Sequence, residues 1–162
     1  MIRLDLGAGN KRFDGWLAID AVQRGDKPLD VVTDLAKLPF PDNHADEARA
    51  IHVIEHFHRG DVPAVLREWI RVLKPGASLA LECPDLNRAI YFLLAEPERQ
   101  QLGLWALYGD PQYREDAMIH RWAYTPAELG NLMLAAGLTK VRVEKAQFHV
   151  PIRDMRLVGE KP

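Results

Sequence analysis

The sequence predicts an α/β fold with a mostly parallel sheet. Three observations lead there: short apolar segments of strand length recur along the chain, helical apolar stripes alternate with the later ones, and the first segment runs straight into a glycine turn. Strands are expected at Ile2 to Leu6, Trp16 to Asp20, Asp30 to Thr33, Ala48 to His52 and Leu79 to Cys83, each about five residues long. Asp61 opens a helix with Pro63 in its first turn. Val62, Val65, Leu66, Trp69, Ile70 and Leu73 recur on one face of it until Lys74-Pro75-Gly76 stops the pattern. Asp85 can cap a further helix carrying Leu86, Ile90, Leu93 and Leu94, broken at Pro97 and resumed through Leu107, so that 86–119 forms a helical insert. Thr125-Pro126-Ala127-Glu128 is a capping box with proline at the first helical position. It leads the stripe Leu129, Leu132, Met133 and Ala136, which ends at Gly137. Val141 to Ala146 and Met155 to Gly159 are close enough in sequence to pair as an antiparallel hairpin.

Two connections are too short for the helix that usually joins parallel strands, the one from strand 1 to strand 2 and the one from strand 2 to strand 3. Strand composition agrees, because Arg3, Arg49 and Glu82 alternate with Leu4, Ala50 and Leu81, whereas a sheet buried on both faces reads as continuous apolar runs. One face is therefore short of helices. The insert or a second copy of the chain is expected to meet it, since Trp16 and Trp105 both need burial.

The 162 residues suit a single domain, 1–162, and the net charge of −2 carries no basic excess for holding nucleic acid by electrostatics. A polar small-molecule ligand fits better. Cys83 is the only cysteine, which excludes an internal disulfide and a thiolate zinc site and suits a reducing, cytoplasmic setting. No apolar run approaches about 18 residues and no charged-then-apolar leader follows Met1, so neither a membrane span nor a signal peptide is expected.

Leu4-Asp5-Leu6-Gly7-Ala8-Gly9-Asn10 is a strand that ends in glycines, followed by a second strand that ends in Asp20. Glycines let a ligand approach the backbone, and an acid at the next strand tip can accept from both ribose hydroxyls, so the pair reads as a nucleoside site. The interval from Gly7 to Asp20 is 13 positions, short of the roughly 20 of a dinucleotide fingerprint, in which a full helix intervenes.

Further segments follow in a set order: Asp34-Leu35, Leu38-Pro39-Phe40-Pro41-Asp42, His52-Val53-Ile54-Glu55-His56, Arg71-Val72-Leu73-Lys74-Pro75-Gly76, His120-Arg121-Trp122-Ala123-Tyr124-Thr125 and Ala135-Ala136-Gly137-Leu138. With the glycine turn, they make the chain resemble the class I S-adenosylmethionine-dependent methyltransferases, of the small predicted type. The resemblance implies a reduced Rossmann-like sheet of order 3-2-1-4-5-7-6 with strand 7 antiparallel. It implies S-adenosylmethionine as cofactor and in-line methyl transfer to a small-molecule or carbohydrate acceptor. Gly7 and Gly9, with Asp5 in the same motif, would take the methionine part, Asp20 the ribose, Asp34 and Leu35 the adenine, and His52 and Ile54 would floor the pocket. The family commonly has a third glycine where this chain has Lys11, so Lys11 or Arg12 is expected to supply positive charge in place of the missing helix end. His56, Asp85 and His120 are candidate bases for the acceptor's proton.

Two other readings stand beside this one. A chain of the same fold can bind cofactor without catalysis and act as an interaction module. His52-Val53-Ile54-Glu55-His56 also spells H-x-x-E-H, a zinc-hydrolase pattern, but that chemistry needs both histidines on one helix. Here a strand leads in and Gly60 interrupts soon after, so no metal site is expected from the motif.

Overall fold

A computed structural model describes residues 1–162. The expected strands form β1 (Arg3–Leu6), β2 (Leu17–Asp20), β3 (Val31–Val32), β4 (Ala45–Ile51), β5 (Leu73–Pro84), β6 (Thr139–Glu144) and β7 (Asp154–Glu160). All seven lie in one sheet of order β3-β2-β1-β4-β5-β7-β6, parallel from β3 through β5, with β7 antiparallel to both of its neighbours. The helices are α1 (Val62–Val72), α2 (Leu86–Ala95), α3 (Gln100–Tyr108) and α4 (Pro126–Ala135). No helix joins β1 to β2 or β2 to β3, as the short connections require.

Two caps do what the sequence suggests. The Thr125 hydroxyl accepts from Glu128 N at 3.1 Å, and the Asp85 carboxylate accepts from Asn87 N at 2.9 Å, each satisfying a helix-start donor that has no intrahelical partner. β6 ends earlier than expected. Glu82, fully buried on β5, accepts from Gln147 N at 2.9 Å and Phe148 N at 2.7 Å, and this draws residues 145–150 out of the ladder and onto the sheet.

Strand alternation sorts the chain into two faces. Leu4, Leu6, Ile19, Ala48, Ala50, Leu79, Leu81 and Leu157 point to the side where α1 and α4 pack, and they form one apolar core with Trp69, Leu129 and Met133. Trp69 is completely buried, and its indole N–H donates to Leu35 O at 2.8 Å. The opposite face carries Asp5, Arg49, Glu82 and Arg156, all buried.

Its cover differs from the expectation. Arg49 forms a two-pronged pair with Asp5, at 2.9 and 3.0 Å, and its guanidinium lies under the rings of Trp16, Phe13 and Phe148 at 4.1, 4.3 and 5.1 Å. The loop after β1 and the loop before β7 thus close the middle of this face from within the same chain. The insert packs chiefly on itself, α2 against α3, beyond the carboxyl end of β5.

Candidate cofactor and acceptor site

The parallel strands end together on one edge, and the loops leaving β1, β2, β4 and β5 converge there. Gly7 has φ +77, and a Cβ on it would run into Val53 Cγ2, so only glycine fits against the loop that leaves β4. Gly9 has φ +53, and the space where its Cβ would stand is open. Gly9 N donates to one Asp20 oxygen at 2.9 Å and Ala21 N to the other at 2.7 Å, which holds the carboxylate at the end of β2 beside that open space. Each oxygen still has a lone pair to offer. The glycine turn and its acid therefore form a cradle that is open at Gly9.

Other expected residues divide. Lys11 is exposed on the same loop and stands free to meet an anionic group. Arg12 does not serve that purpose. Its guanidinium donates to the carbonyls of Gly9, Lys11, Lys27 and Pro28 and ties the loop after β1 to the loop before β3. Asp34 is exposed at the end of β3, where it accepts from Ala36 N at 2.9 Å, and Leu35 beside it is only 6 % exposed. Two further expected residues are engaged within the fold. Asp5 points to the face opposite the core and is spent on Arg49, its direct neighbour across the β1–β4 ladder. Ile54 is 1 % exposed in the apolar core, because the turn Ile54–His56 directs it inward.

His52 sits at the carboxyl end of β4 in the left-handed region, φ +56. Its Nε2 is 2.9 Å from Asp154 Oδ2, and its Nδ1 is 3.1 Å from Glu55 Oε1. Burial alone would lower its pKa, but Asp154 and Glu55 raise it to about 9. Burial would likewise raise Glu55; the contact with His52 and the charges of His56 and His120 hold it down at about 2. Asp154 is completely buried and also receives Arg153 Nε at 2.6 Å and Val150 N at 3.1 Å. Nothing in the apolar periodicity marks Asp154. The one available signal was its place at the start of the final strand, which an antiparallel β7 sets beside the end of β5.

Of the three candidate bases, the fold brings two together. The His56 and His120 rings lie 4.9 Å apart and share Glu55 between them. Arg121 N and Trp122 N donate to Glu55 O, which fastens the segment 119–122 to the turn after β4. Asp85 instead serves as the cap of α2, 3.5 Å from Arg88, with its carboxyl pushed up by burial. The H-x-x-E-H residues lie on a strand end and a 3-10 turn, so His52 and His56 do not share a helix face and the zinc-hydrolase geometry is not formed. Arg24, in the loop after Asp20, reaches Glu115, in the segment after α3, at 2.8 Å. The insert is thereby tied across the carboxyl edge to the Asp20 side.

A family model described as a methyltransferase domain matches residues 4–143, from the start of β1 nearly to the end of β6. The chain belongs to the class I S-adenosylmethionine-dependent methyltransferase family. A SAM-dependent methyltransferase from Archaeoglobus fulgidus has the same architecture as this methyltransferase domain, with a TM-score of 0.69 at 16 % identity over 99 % of this chain and 86 % of that one. Human N-acetylserotonin methyltransferase in complex with SAM superposes with a TM-score of 0.62 at 16 % identity, covering 99 % of this chain and 47 % of that one. Among curated sequences, the 2-phytyl-1,4-naphtoquinone methyltransferase of Synechococcus elongatus is 38 % identical over 74 residues, which is 46 % of this methyltransferase domain. That match spans only 30 % of the relative's length.

Proposed function

We propose that this chain transfers the methyl group of S-adenosylmethionine to a hydroxyl of a small-molecule or carbohydrate acceptor. The observation that carries the reading is the Gly7–Gly9 cradle, with open space at Gly9 and the Asp20 carboxylate held at its edge. When bound, the sulfonium supplies an activated methyl group with a good leaving group, so positioning provides much of the rate. The chain's own residues do that positioning. Asp20 takes the ribose hydroxyls, Asp34 and the Leu35 edge meet the adenine, and Lys11 offers its charge to the carboxylate. His52, anchored by Asp154, closes the floor. Glu55 and His56, in the turn after β4 and close in sequence to Val53, which packs on Gly7, face the acceptor with His120 from the segment before α4.

Calorimetric titration with S-adenosylmethionine and S-adenosylhomocysteine tests the reading, followed by assay of S-adenosylhomocysteine release over a panel of hydroxyl and amine acceptors. Micromolar binding with turnover on hydroxyl acceptors is expected. Binding without turnover over the whole panel would turn the reading into the cofactor-binding module, and no binding would sink both.

A further inference from the structure

We propose that Glu55, His56 and His120 bind a divalent transition-metal cation, a ligand set that shares Glu55 and His56 with the H-x-x-E-H motif but replaces His52 by His120. One potential ligand atom from each residue lies within 4.8 Å of the other two, and His120 Nε2 is 4.0 Å from Glu55 Oε1. The second observation concerns Glu55 itself. Its side chain is 2 % exposed, and its close partner is His52, whose Nδ1 lies 3.1 Å from Oε1, while Oε2 has no hydrogen-bond partner. A buried carboxylate oxygen without a donor is costly, and a cation on the His56–His120 side would satisfy it.

The histidines are prepared in the same sense. His120 Nδ1 is 2.9 Å from Ala106 O and His56 Nδ1 is 3.2 Å from Ile119 O. A carbonyl can only accept, so each ring donates from Nδ1, and in the neutral ring the Nε2 lone pair is left for a cation. Metal-binding histidines are oriented in this way by carbonyls behind them. Ligand distances of about 2.0–2.2 Å put the ligand atoms of a bound cation roughly 3–3.5 Å apart, so a small rotation of the rings closes the set. Two imidazoles and one carboxylate favour Zn²⁺, Mn²⁺ or Fe²⁺ over Ca²⁺ and Mg²⁺, which take mostly oxygen ligands. Three protein ligands also leave coordination positions open, as catalytic rather than structural sites do.

The cation site stands on this geometry; its use on the acceptor rests on the methyl-transfer reading above. An acceptor hydroxyl on the open position would lose its proton to solvent water. Its oxygen lone pair then forms the O–CH₃ bond as the S–CH₃ bond breaks, the electron pair stays on sulfur, and the cation keeps its oxidation state.

Chelator-dialysed full-length chain titrated with Zn²⁺ by calorimetry, and with Mn²⁺ by electron paramagnetic resonance, tests the site. About one equivalent of either ion is expected to bind, weakened more than about tenfold in His120→Ala and in His56→Ala and unchanged in His58→Ala, whose histidine is exposed nearby. Glu55→Gln is a third variant, and circular dichroism of each metal-free variant separates lost ligation from lost folding. Absence of stoichiometric binding, or affinity unchanged in both histidine variants, overturns the site. S-adenosylmethionine titration of the same metal-free samples keeps the two readings apart: cofactor binding without metal binding overturns this inference alone, and metal binding without cofactor binding supports the site while removing methyl transfer.

Discussion

At the scale of single residues, side chains that look alike in the sequence have opposite fates. Gly7 and Gly9 belong to one motif, but only Gly7 is packed, against Val53. Gly9→Ala is therefore expected to cost only about 1–2 kcal/mol of stability from the left-handed backbone while losing S-adenosylmethionine affinity, measured by thermal melts and calorimetry on the same protein. Gly7→Ala should lose far more stability, because the backbone strain adds to the collision with Val53. Asp20→Ala is expected to weaken cofactor binding by about ten- to a hundredfold, the worth of roughly 1.5–3 kcal/mol for hydrogen bonds to a charged group. Asp5 shows the contrary case. It reads as part of the cofactor motif, yet it holds Arg49 under an aromatic cover, and in the sequence the two are separated by 44 positions. Arg49→Met should destabilise the chain by about 3–5 kcal/mol by leaving a buried carboxylate alone, and adding Asp5→Leu should recover much of that in urea melts.

At the scale of elements, local signals were legible where local physics decides. The Thr125 cap, the Asp85 cap and the α1 stripe all form, because a cap needs only residues a few positions away, whereas the Glu128 half of the capping box goes to Arg59 and Trp122. Thr125→Ala should cost about 1 kcal/mol and lower the melting temperature by roughly 2–4 °C. The Leu38–Asp42 segment was visible as a motif, but not its clamp. Glu68 on α1 accepts from Leu38 N at 2.8 Å, and Arg71 donates to Leu38 O, Phe40 O and Asp42. The Arg71 guanidinium holds the Glu68 carboxyl below its ordinary value. A depressed folded pKa stabilises the chain above the unfolded value of 4.5, and that contribution disappears as pH falls through the folded value. The stability gap between the native chain and Glu68→Gln should accordingly narrow as melts are taken from pH 6 down to about 3; a gap that widens on acidification would refute the clamp.

At the scale of the whole molecule, the sheet is built with all its sheet-packing helices on one side, and the missing helices were plain from loop lengths alone. What covers the other side was not. Glu82 and Arg49 read as charges to be covered by the insert or a second copy, whereas they capture Phe148, Phe13 and Trp16 from loops that carry no periodic signal. Trp16 is only partly buried, so its replacement by alanine should expose that charged layer and lower stability by less than the roughly 3–5 kcal/mol of a fully buried tryptophan, as read in denaturant melts. The sequence by itself determined the strand order along the chain, the glycine cradle, its acid and the helix caps, since these depend on residue type, periodicity and neighbours close in the chain. Only the tertiary structure decided that Asp5 pairs with Arg49 and Ile54 joins the core, that Asp154 meets His52, and that Glu55 and His56 meet His120. Those contacts join residues 44 to 102 positions apart across a folded sheet edge, and no local pattern encodes a meeting between side chains that only sheet register and loop packing bring together.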